Sequence, residues 1–152
     1  MKLRVAGFLD DSLVNGEGLR TVVFVSGCSH NCPGCHNEDM QSHEYGEEIE
    51  VEELFAKIKE NIIVRGVTFS GGEPMDQAEA LSALAEKIKS IGLNLWCYTG
   101  YIYEDILESG DDHKLKLLSY LDVLVDGPYV EELKEDAKKY TGSSNQRIIK
   151  LK

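Results

Sequence analysis

No stretch of the 152 residues approaches the roughly twenty consecutive apolar positions that a bilayer-spanning helix needs. The opening Met1-Lys2-Leu3-Arg4-Val5-Ala6-Gly7 soon meets Asp10-Asp11, which is not the pattern of a secretory leader. No membrane association and a cytoplasmic location are therefore expected. Positive charge is scarce as well. Lys and Arg number 16 against 27 Asp and Glu, a formal charge of −11. A phosphate backbone would be repelled on average, so direct nucleic-acid binding is not expected. Cysteine occurs only four times. Three of the four lie too close together for the disulfide framework of a secreted domain, which leaves metal or redox chemistry. What remains is the composition of an ordinary folded protein, 42% hydrophobic and 28% charged. The length suits one domain over residues 1–152 with a genuine core.

The three grouped cysteines stand in Gly27-Cys28-Ser29-His30-Asn31-Cys32-Pro33-Gly34-Cys35-His36-Asn37, directly after an apolar, β-branched run. The spacing Cys-x3-Cys-x2-Cys lets Cys28, Cys32 and Cys35 converge on one metal centre, and Pro33-Gly34 turns the chain around it. A four-iron cubane held by three protein thiolates keeps one iron open to bind and activate something else. A structural zinc site takes four protein ligands and closes its shell. The spacing therefore reads as catalytic iron–sulfur. The competing readings are a zinc site completed by His30, His36 or His43, and a chance group of buried thiols.

Along the chain, strand and helix signals alternate. Val5–Leu9 reads as a short edge strand and Leu19–Val25 as a buried one. Asn37–Glu50 is polar and loop-like. Val51, Leu54, Phe55, Ile58 and Ile62 share one helical face. Arg65–Ser70 is a strand ending in Gly71-Gly72-Glu73-Pro74, where Pro74 suits a helix start. The helix that follows carries Leu81, Leu84, Ile88 and Ile91 inward and stops at Gly92. Leu93–Thr99 and Leu121–Val125 are further strands, with short helices at Ile102–Glu108 and His113–Tyr120 between them. Val130, Leu133, Ala137 and Tyr140 repeat at helical spacing, and 145–151 is a candidate last strand. Such alternation implies an α/β fold with a mostly parallel sheet and right-handed crossovers. The strands are too few for eight-fold closure, so a partial, open (β/α) barrel is expected, with a flat doubly wound sheet as the alternative. In either, the loops after the strands share one face, which is where sites are built.

Those loops hold the remaining candidates. The diglycine Gly71-Gly72 lets backbone approach a ligand without side-chain obstruction. Thr99 ends one strand, and Asp126, at the end of another, is expected to face the same site; the alternative for each is that it caps a loop. Cys97, inside an apolar strand, reads as a small buried hydrophobe. Arg20 is a candidate partner for a carboxylate. Gly142–Arg147 reads as a polar loop entering an edge strand.

Taken together, the cysteine triplet and Gly71-Gly72-Glu73-Pro74 resemble the radical S-adenosylmethionine (SAM) superfamily. Cys28-x-His30-x-Cys32-Pro33-Gly34-Cys35-His36-Asn37 and Asn15-Gly16-Glu17-Gly18-Leu19-Arg20 resemble the activating enzymes that install glycyl radicals. Val125-Asp126-Gly127-Pro128-Tyr129 and Gly142-Ser143-Ser144-Asn145-Gln146 are similar to the activases of anaerobic (class III) ribonucleotide reductase. The likeness runs from about Val14 to the C-terminus, and departs from common forms at Glu17 and His36. The resemblance implies a radical SAM type of open barrel and a [4Fe-4S] cluster on Cys28, Cys32 and Cys35. It places SAM against Gly34, Cys35, His36, Gly71, Gly72, Glu73 and Thr99, with Glu73 as an acceptor for the methionine ammonium. It implies reductive cleavage of SAM to a 5′-deoxyadenosyl radical, which takes a hydrogen atom from a glycine of the reductase large subunit. The chain has no spare cysteine set for a second cluster, so the electron is expected from an external low-potential donor. The alternatives within the superfamily are a pyruvate formate-lyase-type activase and a small-molecule enzyme such as a deazapurine synthase.

Overall fold

The computed structural model describes residues 1–30, 42 and 45–152. Its described strands are β1 (Lys2–Ser12), β2 (Arg20–Val25), β3 (Glu47–Glu50), β4 (Gly66–Gly71), β5 (Asn94–Tyr98), β6 (Val123–Asp126) and β7 (Arg147–Lys150). They form one open sheet in the order β3-β1-β2-β4-β5-β6-β7. The β2–β4, β4–β5 and β5–β6 pairs are parallel, whereas β1–β2, β1–β3 and β6–β7 are antiparallel. The sheet is thus a parallel centre with antiparallel flanks, more mixed than the mostly parallel sheet expected.

The connections across the parallel centre are α1 (Val51–Glu60), α2 (Ala78–Ser90) and the pair α3 (Tyr103–Glu108) and α4 (Asp112–Tyr120). Strand order never reverses along β2-β4-β5-β6, so right-handed crossovers place these helices on one face. The larger of two core clusters among the described residues reflects this. Leu54 and Ile58 of α1, Leu81, Leu84 and Ile88 of α2, Ile106 of α3 and Leu117 of α4 meet Val23, Val67, Phe69, Leu95 and Leu124 of the sheet. Each such side chain, when fully buried, stabilises the fold by about 2 kcal/mol. The opposite face carries a smaller cluster of Trp96, Val123 and Val125, with Tyr98, Tyr140 and Ile148 packed against it.

Three departures from the sequence reading have local causes. Glu47–Glu50, expected as loop, pairs with β1 and makes β1 an interior strand rather than an edge. Only Ile49 is apolar there. The pairing sets Lys2 opposite Glu50 and Arg4 opposite Glu48, a charge match that a hydrophobic pattern does not register. Helix α1 ends at Glu60 because Asn61 is extended, and Ile62, expected on the inner face, is 90% exposed. The helical spacing after Val130 yields a 3₁₀ segment, Glu131–Asp136, without a buried residue, and Tyr140 adopts a left-handed φ of 72°.

Candidate functional site

The strands leading into the glycine- and cysteine-bearing loops end side by side. Around those ends lies a cleft of about 330 Å³, at the lower end of the roughly 300–1,000 Å³ found for small-molecule sites. Cys28 and His30 border it after β2, Ser70–Glu73 at the end of β4, and Tyr98–Gly100 at the end of β5. Gly127 and Tyr129 follow β6, while Val14 and Asn15 close one side and Tyr140, Gly142 and Gln146 the other. Of the candidate ligand and SAM-contact residues named from the sequence, Cys28, His30, Gly71, Gly72, Glu73 and Thr99 share this cleft. Cys32, Gly34, Cys35, His36 and His43 lie outside the described residues.

Alternation along the strands sorts the side chains. On β5, Leu95 and Cys97 join the helix-side core, whereas Trp96 belongs to the opposite cluster and Tyr98 packs against it. Cys97 is fully buried, and burial pushes its thiol well above the ordinary range. On β6 the same alternation sends Asp126 to the helix side. The expectation that it faces the cleft is corrected here. Its carboxylate accepts Nε and Nη2 of Arg147 (3.0 and 2.5 Å) and the Tyr103 amide at the start of α3 (2.8 Å). Asp126 therefore secures β7 and α3.

Arg20 is also buried, but it pairs with no carboxylate among the described residues. Nε donates to Thr68 Oγ1, Nη1 to the Glu17 carbonyl, and Nη2 to the Val67 carbonyl and to Asn94. Its guanidinium lies 5.4 Å from the Trp96 ring centroid. Desolvation lowers its pKa to about 10, so it keeps its charge at neutral pH. Its partners belong to the Asn15–Gly18 turn, β4 and β5, and Thr68 donates onward to the Asn15 carbonyl at 2.6 Å. The Arg20 side chain thus holds that turn beside the cleft.

Gly71 has a φ of 104°, and a Cβ there would lie 2.5 Å from both N and O of Val25. The neighbouring amides continue the lacing: Gly72 N–H donates to Val25 and Glu73 N–H to the Gly27 carbonyl, both at 2.8 Å. The backbone of the glycine motif is therefore bonded directly to the strand end that becomes the cysteine loop.

Glu73 caps the 3₁₀ turn Pro74–Gln77 and is 1% exposed. One carboxylate oxygen accepts the Met75 amide (2.9 Å) and the Thr99 hydroxyl (2.7 Å). The other accepts the Gly100 amide (2.7 Å) and lies 2.6 Å from His30 Nε2. An ionised carboxylate only accepts, with room for about four donors, so its capacity is filled by the protein itself. The bond to Glu73 raises the His30 pKa against the opposing effect of burial. Beside it, the Ser29 amide donates to Asp76 Oδ2 (3.1 Å), Tyr101 Oη donates to Asp76 Oδ1 (2.7 Å), and Ser29 Oγ is 3.2 Å from Tyr101 Oη. Burial, with Asp76 adding to it and Ser29 opposing it, pushes the Tyr101 phenol up to about 12.

The Gly142–Gln146 loop forms the far wall. Gln146 Oε1 accepts the amides of Gly142 and Ser143, and its Nε2 donates to the Gly127 carbonyl. Tyr98 Oη donates to the Tyr140 carbonyl at 2.7 Å, fixing the left-handed Tyr140 against the edge of Trp96. The places of Tyr98 and Tyr140 on the cleft wall were missed in the sequence. Tyr98 could have been found from its alternation with Cys97. Tyr140 could not, because its position depends on a loop with no periodic signal.

Comparison with known proteins adds a separate line of observation. The family described as 4Fe-4S single cluster domain matches residues 14–149. The chain is 38% identical over 146 residues to the anaerobic ribonucleoside-triphosphate reductase-activating protein of Vibrio cholerae, covering 90% of each chain. It is 32% identical over 148 residues to the protein of the same name from Haemophilus influenzae, with 92% of this chain and 93% of the relative covered. The corresponding protein of Enterobacteria phage T4 is 36% identical over 142 residues, covering 89% of this chain and 86% of its own.

Proposed function

Because the chain belongs to the 4Fe-4S single cluster domain family and to its anaerobic ribonucleoside-triphosphate reductase-activating proteins, we propose that it activates such a reductase by generating a glycyl radical on it. The observation that carries this reading is a convergence. A cysteine from the three-thiol motif and a backbone-only diglycine border one cleft at the ends of adjacent parallel strands. The unreversed strand order, with helices on one face, supports a section of an open radical SAM type of barrel over a doubly wound sheet.

The residues present fit the implied group. Cys28 is a soft thiol donor lining the same cleft as Gly71 and Gly72, which bring no side chain into it. With Cys32 and Cys35 it would hold the cluster. Held by those thiolates, a [4Fe-4S] cluster with one open iron, reduced by an external donor, would supply the single electron for reductive cleavage of SAM, the chemistry that would lead to a glycyl radical on the partner. The chain's own part is positioning and exclusion of water. The backbone of Gly71-Gly72-Glu73 borders the space proposed for the methionine end of SAM, with Gly34, Cys35, His36 and Thr99 as further contacts. Tyr98, Tyr129 and Tyr140 form an aromatic wall that limits water around the nucleoside. The electron is proposed to come from an external low-potential donor, and the protein substrate is proposed to be the reductase large subunit.

The test is anaerobic incubation with a candidate reductase, SAM and a reductant, followed by electron paramagnetic resonance. A glycine-centred signal on the reductase is expected. Release of 5′-deoxyadenosine with a small molecule, and none with the reductase, would replace this reading by the small-molecule one. A colourless zinc protein would overturn both. Cys28→Ala, Cys32→Ala and Cys35→Ala are each expected to lose the intact cluster and all SAM cleavage, measured as iron content and 5′-deoxyadenosine; cleavage surviving in any one would remove that cysteine from the ligand set.

A further inference from the structure

Glu73 caps the 3₁₀ turn that follows β4 and Asp76 lies within it, and both reach back to the two residues after Cys28. Glu73 bonds the His30 ring, and Asp76 takes the Ser29 amide. The same two carboxylates hold the loop after β5: Glu73 through Thr99 Oγ1 and the Gly100 amide, Asp76 through Tyr101 Oη. The His30 ring sits edge-on to Tyr101, with centroids 4.4 Å apart. It also fills the space beside Gly100, where a Cβ would lie 2.7 Å from His30 Cδ2. Two loops from different strands are therefore tied through one pair of acidic side chains.

We propose that Glu73 and Asp76 form a clamp that fixes Cys28-Ser29-His30 against Thr99-Gly100-Tyr101, so that the first thiol of the motif is presented to iron from a preformed loop. This rests on the reading above only in taking Cys28 as a cluster ligand. It assigns the Glu73 side chain to positioning, because its acceptor sites already have protein donors and a ligand ammonium would have to displace one. The energetic reason for such a clamp is that ordering the loop costs conformational entropy. Hydrogen bonds that the chain itself makes to Ser29, His30, Thr99 and Gly100 lower that cost for cluster binding. The bonds to ionised carboxylates are the stronger, charge-assisted kind.

The test begins on the metal-free chain, kept reduced, by measuring exchange of the Ser29 and Gly100 amides with NMR. Asp76→Ala is expected to speed Ser29 exchange at least roughly tenfold, the loss of one charge-assisted bond, while amides of α2 keep their protection. Tyr101→Phe removes one hydroxyl and serves as the milder variant if Asp76→Ala does not fold; it is expected to speed Ser29 exchange in the same direction. Glu73→Gln is expected to act on Gly100. After reconstitution, the three variants are expected to load iron more slowly than wild type and to give a broadened or shifted spectrum of the reduced cluster. Unchanged Ser29 and Gly100 exchange would overturn the clamp. Exchange accelerated equally across the sheet would also overturn it, by showing a merely structural role. Wild-type protein that takes up no iron would overturn the functional reading and, with it, the presenting role, even if the exchange result held.

Discussion

Cys28 and Cys97 carry the same chemistry into opposite environments. Cys28 borders the cleft, whereas Cys97 is enclosed in the helix-side core, where burial holds its thiol protonated. A buried neutral thiol is a poor metal ligand and a serviceable apolar filler. Cys97→Ala is accordingly expected to leave iron content unchanged and to cost about 1 kcal/mol through the small cavity it leaves, read from a urea midpoint. Loss of the cluster in that variant would show the strand assignment to be wrong. Asp126 makes a similar point. Its identity and its place at a strand end marked it for the site, yet period-two alternation turned it toward Arg147. Arg147→Met leaves that fully buried carboxylate with only the Tyr103 amide among its described donors, and is expected to cost about 2 kcal/mol at neutral pH. Glu104, also bonded to Arg147, has its carboxyl held below the usual range. A depressed pKa stabilises the fold above the unfolded value and loses that effect as pH falls through the folded value. The gap between wild type and Arg147→Met is thus expected to narrow in acid, measured by urea unfolding across pH.

Helix α1 shows how an element's end controls its residues. Ile58 and Ile62 are four apart and equal in hydrophobicity, and both fit the same helical stripe. The helix stops between them, so Ile58 is fully buried and Ile62 is 90% exposed. Ile58→Ala is expected to destabilise by about 3 kcal/mol, while Ile62→Ala is expected to stay within about 0.5 kcal/mol. Chemical denaturation of the two variants side by side checks this, and equal losses would mean that the helix continues. The turn Pro74–Gln77 illustrates the converse. It is too short to stand on its own hydrogen bonds. Glu73 caps it, and the Gln77 side chain ties it to β1 and β2 through Arg4 and Ser26.

The molecule combines an excess of acidic residues with a cleft at the strand ends. Its charge of −11 is expected to prevent saturable binding to duplex DNA at physiological salt; a labelled duplex in a fluorescence titration checks this, and tight salt-dependent binding would contradict it. Much of the architecture was legible beforehand, because the β–α alternation from Leu19 to Val125 is written in local hydrophobic periods. The cysteine spacing and the diglycine were legible too, since a short motif fixes its chemistry through neighbouring residues. What could not be read there depends on which segments meet across the sheet. β3 pairs with β1 in a register that sets Glu50 opposite Lys2 and Glu48 opposite Arg4, with Ile49 packed on the core. The donors that meet the Glu73 carboxylate from His30, Thr99 and Gly100 arrive from two other strand ends. Local sequence sets what a residue is able to do, but hydrogen bonds between distant segments are formed only when packing brings donor and acceptor within about 3 Å.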